Sequence, residues 1–229
     1  MRRYTKLKLA YVALAAADTA LAGSRRPWAH RARFATKPLL LPLLGAAVVA
    51  DPRATGSPLR STTLAAQAGG WGGDVLLLGH GERMLAAGAT SFGAGHLAYI
   101  SGFLHHRERR TPLTASRAAR VVAGLWATSG PVVAATAARQ DRRLGGTLLG
   151  YSALLAAMAA TATHLDPALP RDARLLTAAG GAMFLASDAV LGARSFLLPD
   201  APQRLESVVM ATYTGAQLLL AEGAVRAGR

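Results

Sequence analysis

The sequence is a succession of apolar runs, each about 20 residues long, set apart by short charged turns. Few folds accept that pattern. In hydrocarbon every backbone N–H and C=O must be bonded within the protein, and a helix does this within one segment. A soluble bundle would show polar residues at i, i+3 and i+4 along each helix, and most segments lack such a stripe. The expected fold is therefore all-α, a polytopic transmembrane helical bundle of about eight spans forming one domain over residues 1–229. The spans fall at about 6–23, 36–50, 61–79, 84–103, 114–138, 144–164, 172–194 and 203–225, with ends uncertain by a few residues. Pro38 opens the second run, and Pro199 and Pro202 break the chain before the last.

Composition agrees and removes several function classes. The chain is 52% hydrophobic, with no polar region long enough for a separate soluble domain. A net charge of +14 raises nucleic acid as a partner, but the Lys and Arg residues cluster in the turns, and no basic face is interleaved with aromatics. Interfacial anchoring beside anionic lipid headgroups accounts for them. The absence of cysteine rules out disulfides, zinc–thiolate sites and thiol catalysis. The start, MRRYTKLK followed by an apolar stretch and small residues, imitates a secretory signal. Asp18 interrupts it and comparable segments follow, so it reads as the first span. Eight spans put both termini on one side, where the larger share of Lys and Arg falls, which favours a multi-pass cell-membrane protein with cytoplasmic termini. The Ala-, Gly- and Arg-rich composition is of the kind that a GC-rich bacterial genome encodes.

Polar residues inside apolar runs are expensive, and they are functional suspects by default. Odd-numbered spans run one way, and Asp18, Asp74 and Asp188 lie in their last thirds. Even-numbered spans run back, with Lys37 and Tyr151 in their first halves and His96 and Tyr213 near the middle. All seven then share one half of the bilayer, as a polar pocket open to one leaflet would require. Lys37, read as preceding a helix N-terminus, needs an anionic partner such as Asp or a lipid phosphate. Gly69 and Gly73 before Asp74 make a small-xxx-small face for close helix contact. Phe92, His96 and Tyr99 share one helical face. An Asp shortly before Leu and Gly recurs at Asp18, Asp74 and Asp188, which raises the possibility of helix-hairpin repeats. Only His96 lies deep, with His80, His105, His106 and His164 at span ends, so no metal site and no cofactor is expected. No Gly-x-Ser-x-Gly elbow occurs.

Four stretches carry a resemblance. Thr36-Lys37-Pro38-Leu39 with Pro42-Leu43-Leu44, Gly73-Asp74-Val75-Leu76-Leu77, Phe92-x-x-Gly95-His96-x-x-Tyr99, and Ser187-Asp188 together resemble the YhhN family of multi-span membrane proteins, whose eukaryotic members include lysoplasmalogenases. The resemblance implies a hydrolase that cleaves the vinyl ether bond of lysoplasmalogen-type lysophospholipids to a fatty aldehyde and a glycerophospho-base. Vinyl ether cleavage asks for one protonated and one ionised carboxyl group, the division of labour also seen in glycosidases. Asp74 and Asp188 are the expected pair, with His96 orienting a carboxylate or relaying a proton. Lys37 would meet the substrate phosphate, and Tyr151, Tyr213, Tyr99 and Asp18 would complete the substrate-binding set. Partners are then the lipid substrate and membrane lipids. The alternative is a proton-coupled transporter or lipid-binding membrane protein using the same buried acids.

Overall fold

Each apolar run forms one helix. The structure, a computed structural model, describes residues 1–198 and 200–228; the expected break at Pro199 lies outside the described residues. The helices are α1 (Arg3–Ala22), α2 (Pro27–Ala50), α3 (Arg60–Leu76), α4 (Glu82–His105), α5 (Arg117–Ala138), α6 (Arg142–Ala162), α7 (Arg171–Gly192) and α8 (Arg204–Arg226). A turn of π-helix, Ala193–Leu197, extends α7. By length and composition five helices suffice to cross a membrane, namely α2, α5, α6, α7 and α8. The other three are built into the same bundle, so the number of spans lies between five and eight.

One boundary departs from expectation. The second helix begins at Pro27, not near residue 36. Pro27 occupies the first helical position, where its missing N–H is no loss. The basic residues Arg31 and Arg33 lie in its early turns, which made this stretch look like a connector. Lys37 therefore sits in the helix interior, and its need for an anion comes from burial, not from the helix dipole.

Four antiparallel hairpins make up the bundle, because each odd-numbered helix packs most extensively on the even-numbered helix after it. Helix α8 is central and touches α7, α1, α2 and α3, while α4 joins the second hairpin to α6. The hairpin turns at 23–26, 77–81 and 139–141 are short. In the second of these, Gly81 has φ +90°, a left-handed conformation that favours glycine.

Glycine also sets the spacing of α3 and α4. A Cβ at Gly69 would stand 2.7 Å from the Gly95 backbone nitrogen, and one at Gly95 would stand 2.8 Å from the Ala66 carbonyl oxygen. The expected small-xxx-small face is thus a backbone-to-backbone contact, with Gly73 making room for the Phe92 ring. Proline shapes α2 differently. Pro42 has no N–H to offer the Pro38 carbonyl four residues back. The Trp71 indole N–H on α3 donates to that carbonyl at 3.0 Å. One side chain thus satisfies the break and ties the two helices together.

At the end of the bundle that carries the termini, an ionic cluster closes the helices. Asp51, just past α2, accepts from Lys8 at 3.0 Å and from Arg53 at 2.7 and 2.9 Å. Lys8 also pairs with Glu222, and Arg226 reaches Asp172 at 2.9 Å. Burial pushes the Asp51 carboxyl up, but the Arg53 and Lys8 hydrogen bonds outweigh it and hold the group well below the usual carboxylate range.

Two outcomes test this packing. Gly69→Val should lower stability in detergent by about 1–3 kcal/mol, since neither backbone can give way easily; equilibrium unfolding measures it. Because the folded Asp51 value is depressed, its stabilisation is present above about pH 4 and is lost as pH falls toward the folded value. The wild-type melting temperature should fall on acidification through this window, and Asp51→Asn should start lower at pH 7 and fall less.

Candidate functional site

Apart from Tyr99, the polar side chains singled out from the sequence lie between the middle of the bundle and the end where α1, α3 and α7 finish and α2, α6 and α8 begin. They form three groups.

In the first, Asp74 on α3 is 1% exposed. Lys37 Nζ on α2 lies 3.5 Å from its Oδ1, and the Tyr213 hydroxyl on α8 donates to its Oδ2 at 2.7 Å. Three helices thus meet on one carboxylate. In hydrocarbon this arrangement neutralises the acid and satisfies both of its oxygens. The nearest anion to Lys37 is therefore a side chain of its own protein, and a substrate phosphate would have to compete with Asp74 for it.

The second group centres on Asp188 of α7, which is partly buried. The Tyr151 hydroxyl of α6 donates to Asp188 Oδ2, and His96 Nε2 of α4 lies 3.5 Å from the same hydroxyl. His96 thus reaches the carboxylate through a phenol and not directly. No cation stands within ion-pair distance of Asp188 among the described residues.

Aromatic rings separate these two groups. Phe184 meets His96 edge-on with ring centroids 4.9 Å apart, and meets Tyr213 in the same way at 5.5 Å. Phe92 adds a second edge contact to Tyr213 at 5.8 Å. The two acids therefore belong to separate carboxylate–phenol pairs, joined through the Phe184 ring. The open polar pocket expected from the sequence is not formed around Asp74, since Asp74, His96 and Tyr213 are all buried and packed against their partners.

The third group is ionic and uses residues that the sequence did not single out. Asp18 accepts from Thr36 at 2.5 Å and from Arg33 at 3.4 Å. Arg33 continues to Glu206 at 3.3 Å, and Arg194 pairs with the other Glu206 oxygen. Asp18 is thereby committed to a link between α1, α2 and α8. Arg33 was legible in principle, because it lies four residues before Lys37 and shares its inward face. Tyr99, the remaining candidate, stacks on Phe103 and donates to Gln217 at 3.3 Å, away from both acids. Among the described residues no three His, Cys, Asp or Glu side chains lie close enough to hold a metal ion.

The family model of the YhhN family matches residues 32–224, most of the 229-residue chain. The chain belongs to the YhhN family. As a YhhN protein with several apolar helices it is an integral membrane protein, of lysoplasmalogenase-like type at the level of the family. The match takes in Lys37, Asp74, His96, Tyr151, Asp188 and Tyr213, and leaves out α1 with Asp18. No curated protein and no solved structure matches the chain.

The Lys37–Asp74 pair makes a thermodynamic prediction for this YhhN protein. Lys37→Met should destabilise it by about 3–5 kcal/mol, because a buried carboxylate loses its counter-charge. Adding Asp74→Leu should recover most of that loss. Unfolding of both variants in detergent gives the coupling directly.

Proposed function

We propose that the protein is a membrane-embedded hydrolase that cleaves the vinyl ether bond of lysoplasmalogen-type lysophospholipids, releasing a fatty aldehyde and a glycerophospho-base. The observation that carries this reading is the pair of carboxylate–phenol contacts, one charge-paired and one not, set on opposite sides of Phe184 in a YhhN protein.

The two environments divide the labour. An acid with no cation beside it in hydrocarbon is held most cheaply as the neutral carboxyl group. Asp188 is therefore the proton donor. It delivers its proton to the alkenyl carbon remote from the ether oxygen, and the C=C electron pair forms the new C–H bond. The carbon next to oxygen becomes an oxocarbenium ion. Asp74, kept ionised by Lys37, takes a proton from water as that water attacks the cation, a step that requires the closed packing around Asp74 to open as substrate enters. In the collapse of the resulting hemiacetal, Asp74 gives that proton to the departing glycerol oxygen and the Asp188 carboxylate takes the hemiacetal hydroxyl proton, releasing aldehyde and glycerol hydroxyl with both acids reset. Tyr151 positions Asp188, His96 orients Tyr151, and Tyr213 positions Asp74. With cytoplasmic termini, this end of the bundle lies in the opposite leaflet.

Aldehyde release from a 1-alkenyl-lysophospholipid by the purified protein tests the reading. Asp188→Asn and Asp74→Asn should each lower the rate of the folded protein by about 100-fold or more, Asp74→Asn also at reduced stability because Lys37 loses its counter-charge, and Tyr151→Phe should lower it less. Full activity in either Asn variant overturns the assignment. Lipid movement across vesicles without aldehyde release points instead to a transporter.

A further inference from the structure

Beside the candidate site, α2 and α3 part to leave a crevice of about 340 Å³. Leu41, Pro42 and Gly45 form one wall, and Leu64, Ala68 and Trp71 form the other. Gly45 keeps it open, since a Cβ there would stand 3.3 Å from Gln67 Oε1 and 3.8 Å from Leu64. Trp71 is 45% exposed, and its bond to the Pro38 carbonyl fixes the ring beside the crevice. The lining contains one strongly polar side chain, Gln67. It is 3% exposed, and neither its Oε1 nor its Nε2 has a hydrogen-bond partner among the described residues. An unsatisfied primary amide in an apolar wall is a standing free-energy cost that a ligand can remove.

The shape and chemistry select the occupant. The crevice is large enough for several water molecules, but a lining with one polar side chain does not give water its two to four partners. A helix about 10 Å across does not fit. Helix α2 is apolar enough to span, and Leu39 and Val49 on it are exposed, so the surroundings are lipid chains. An amide needs both an acceptor and a donor. An ionised fatty acid offers acceptors alone, and no cation lines the crevice to receive it. A glycerolipid with one chain has a free hydroxyl next to an ester or ether oxygen, which matches the amide.

We propose that the α2–α3 crevice is a lateral binding site for the chain of a single-chain glycerolipid, with Gln67 recognising its free hydroxyl and the adjacent oxygen. A rotation of the Gln67 side chain turns the amide to the ligand. The ligand class contains the lysophospholipids of the proposed reaction, so the choice of ligand rests on that reading. A binding measurement with a monoacylglycerol reads the site whether or not the nearby acids cleave a vinyl ether.

The test uses the full chain in nanodiscs of diacyl phosphatidylcholine and a monoacylglycerol carrying a photoreactive diazirine in its chain. Labelling should map to α2 and α3, and the matched fatty acid methyl ester should label at least tenfold less. Gln67→Leu should reduce monoacylglycerol labelling about tenfold, while its melting temperature without added ligand stays at or above the wild-type value, because the orphan amide is gone. Gly45→Leu should fill the crevice and abolish labelling. Equal labelling by the methyl ester, labelling unchanged in Gln67→Leu, or a lower melting temperature for Gln67→Leu without ligand would each overturn the proposal.

Discussion

The contact between Lys37 and Asp74 is the point on which this bundle turns. Placing either charge alone among apolar helices is costly, so the position of one dictates the position of the other. Lys37 lies inside α2 and Asp74 near the end of α3, which fixes how far these helices slide past each other. Tyr213 then ties α8, the central helix, to the same carboxylate. Polar groups that look like liabilities in a list of spans are thus what sets the register of three helices.

The second carboxylate follows a different rule. Among the described residues no cation pairs with Asp188, and its partner is a phenol that also faces His96. Two acids at similar depth therefore differ in electrical character because of the helices that happen to face them. Phe184 keeps the two environments apart while touching both. That separation gives each carboxyl group its own set of partners.

Much of this was legible in the sequence, and the reasons are physical. Alternating span direction placed Asp18, Asp74, Asp188, Lys37, Tyr151, Tyr213 and His96 at one end, because a helix converts residue number into depth at a fixed rise. The helix boundaries followed from charged turns, except at α2, where Arg31 and Arg33 disguised two turns of helix as a loop. Depth is one coordinate, however, and says nothing about rotation. The sequence did not separate the acids into two groups, show His96 facing Tyr151 and not Asp188, or assign Asp18 to Arg33 and Thr36. Those depend on which faces meet. The clue was the four-residue spacing of Arg33 and Lys37, which marks α2 as carrying an inward cationic stripe.

The short turns at 23–26, 77–81 and 139–141 carry a kinetic consequence. These turns are too short to fold over the polar groups, and the longer α7–α8 connection is tied down at its start by the Arg194–Glu206 pair. On the proposed lipid-cleaving reading the substrate arrives between helices, sideways from the bilayer. Encounter is then a search in two dimensions. On that reading the concentration that governs turnover is the mole fraction of lipid in the membrane, and diluting the substrate with inert lipid would slow the reaction even when the total amount in the vessel is unchanged.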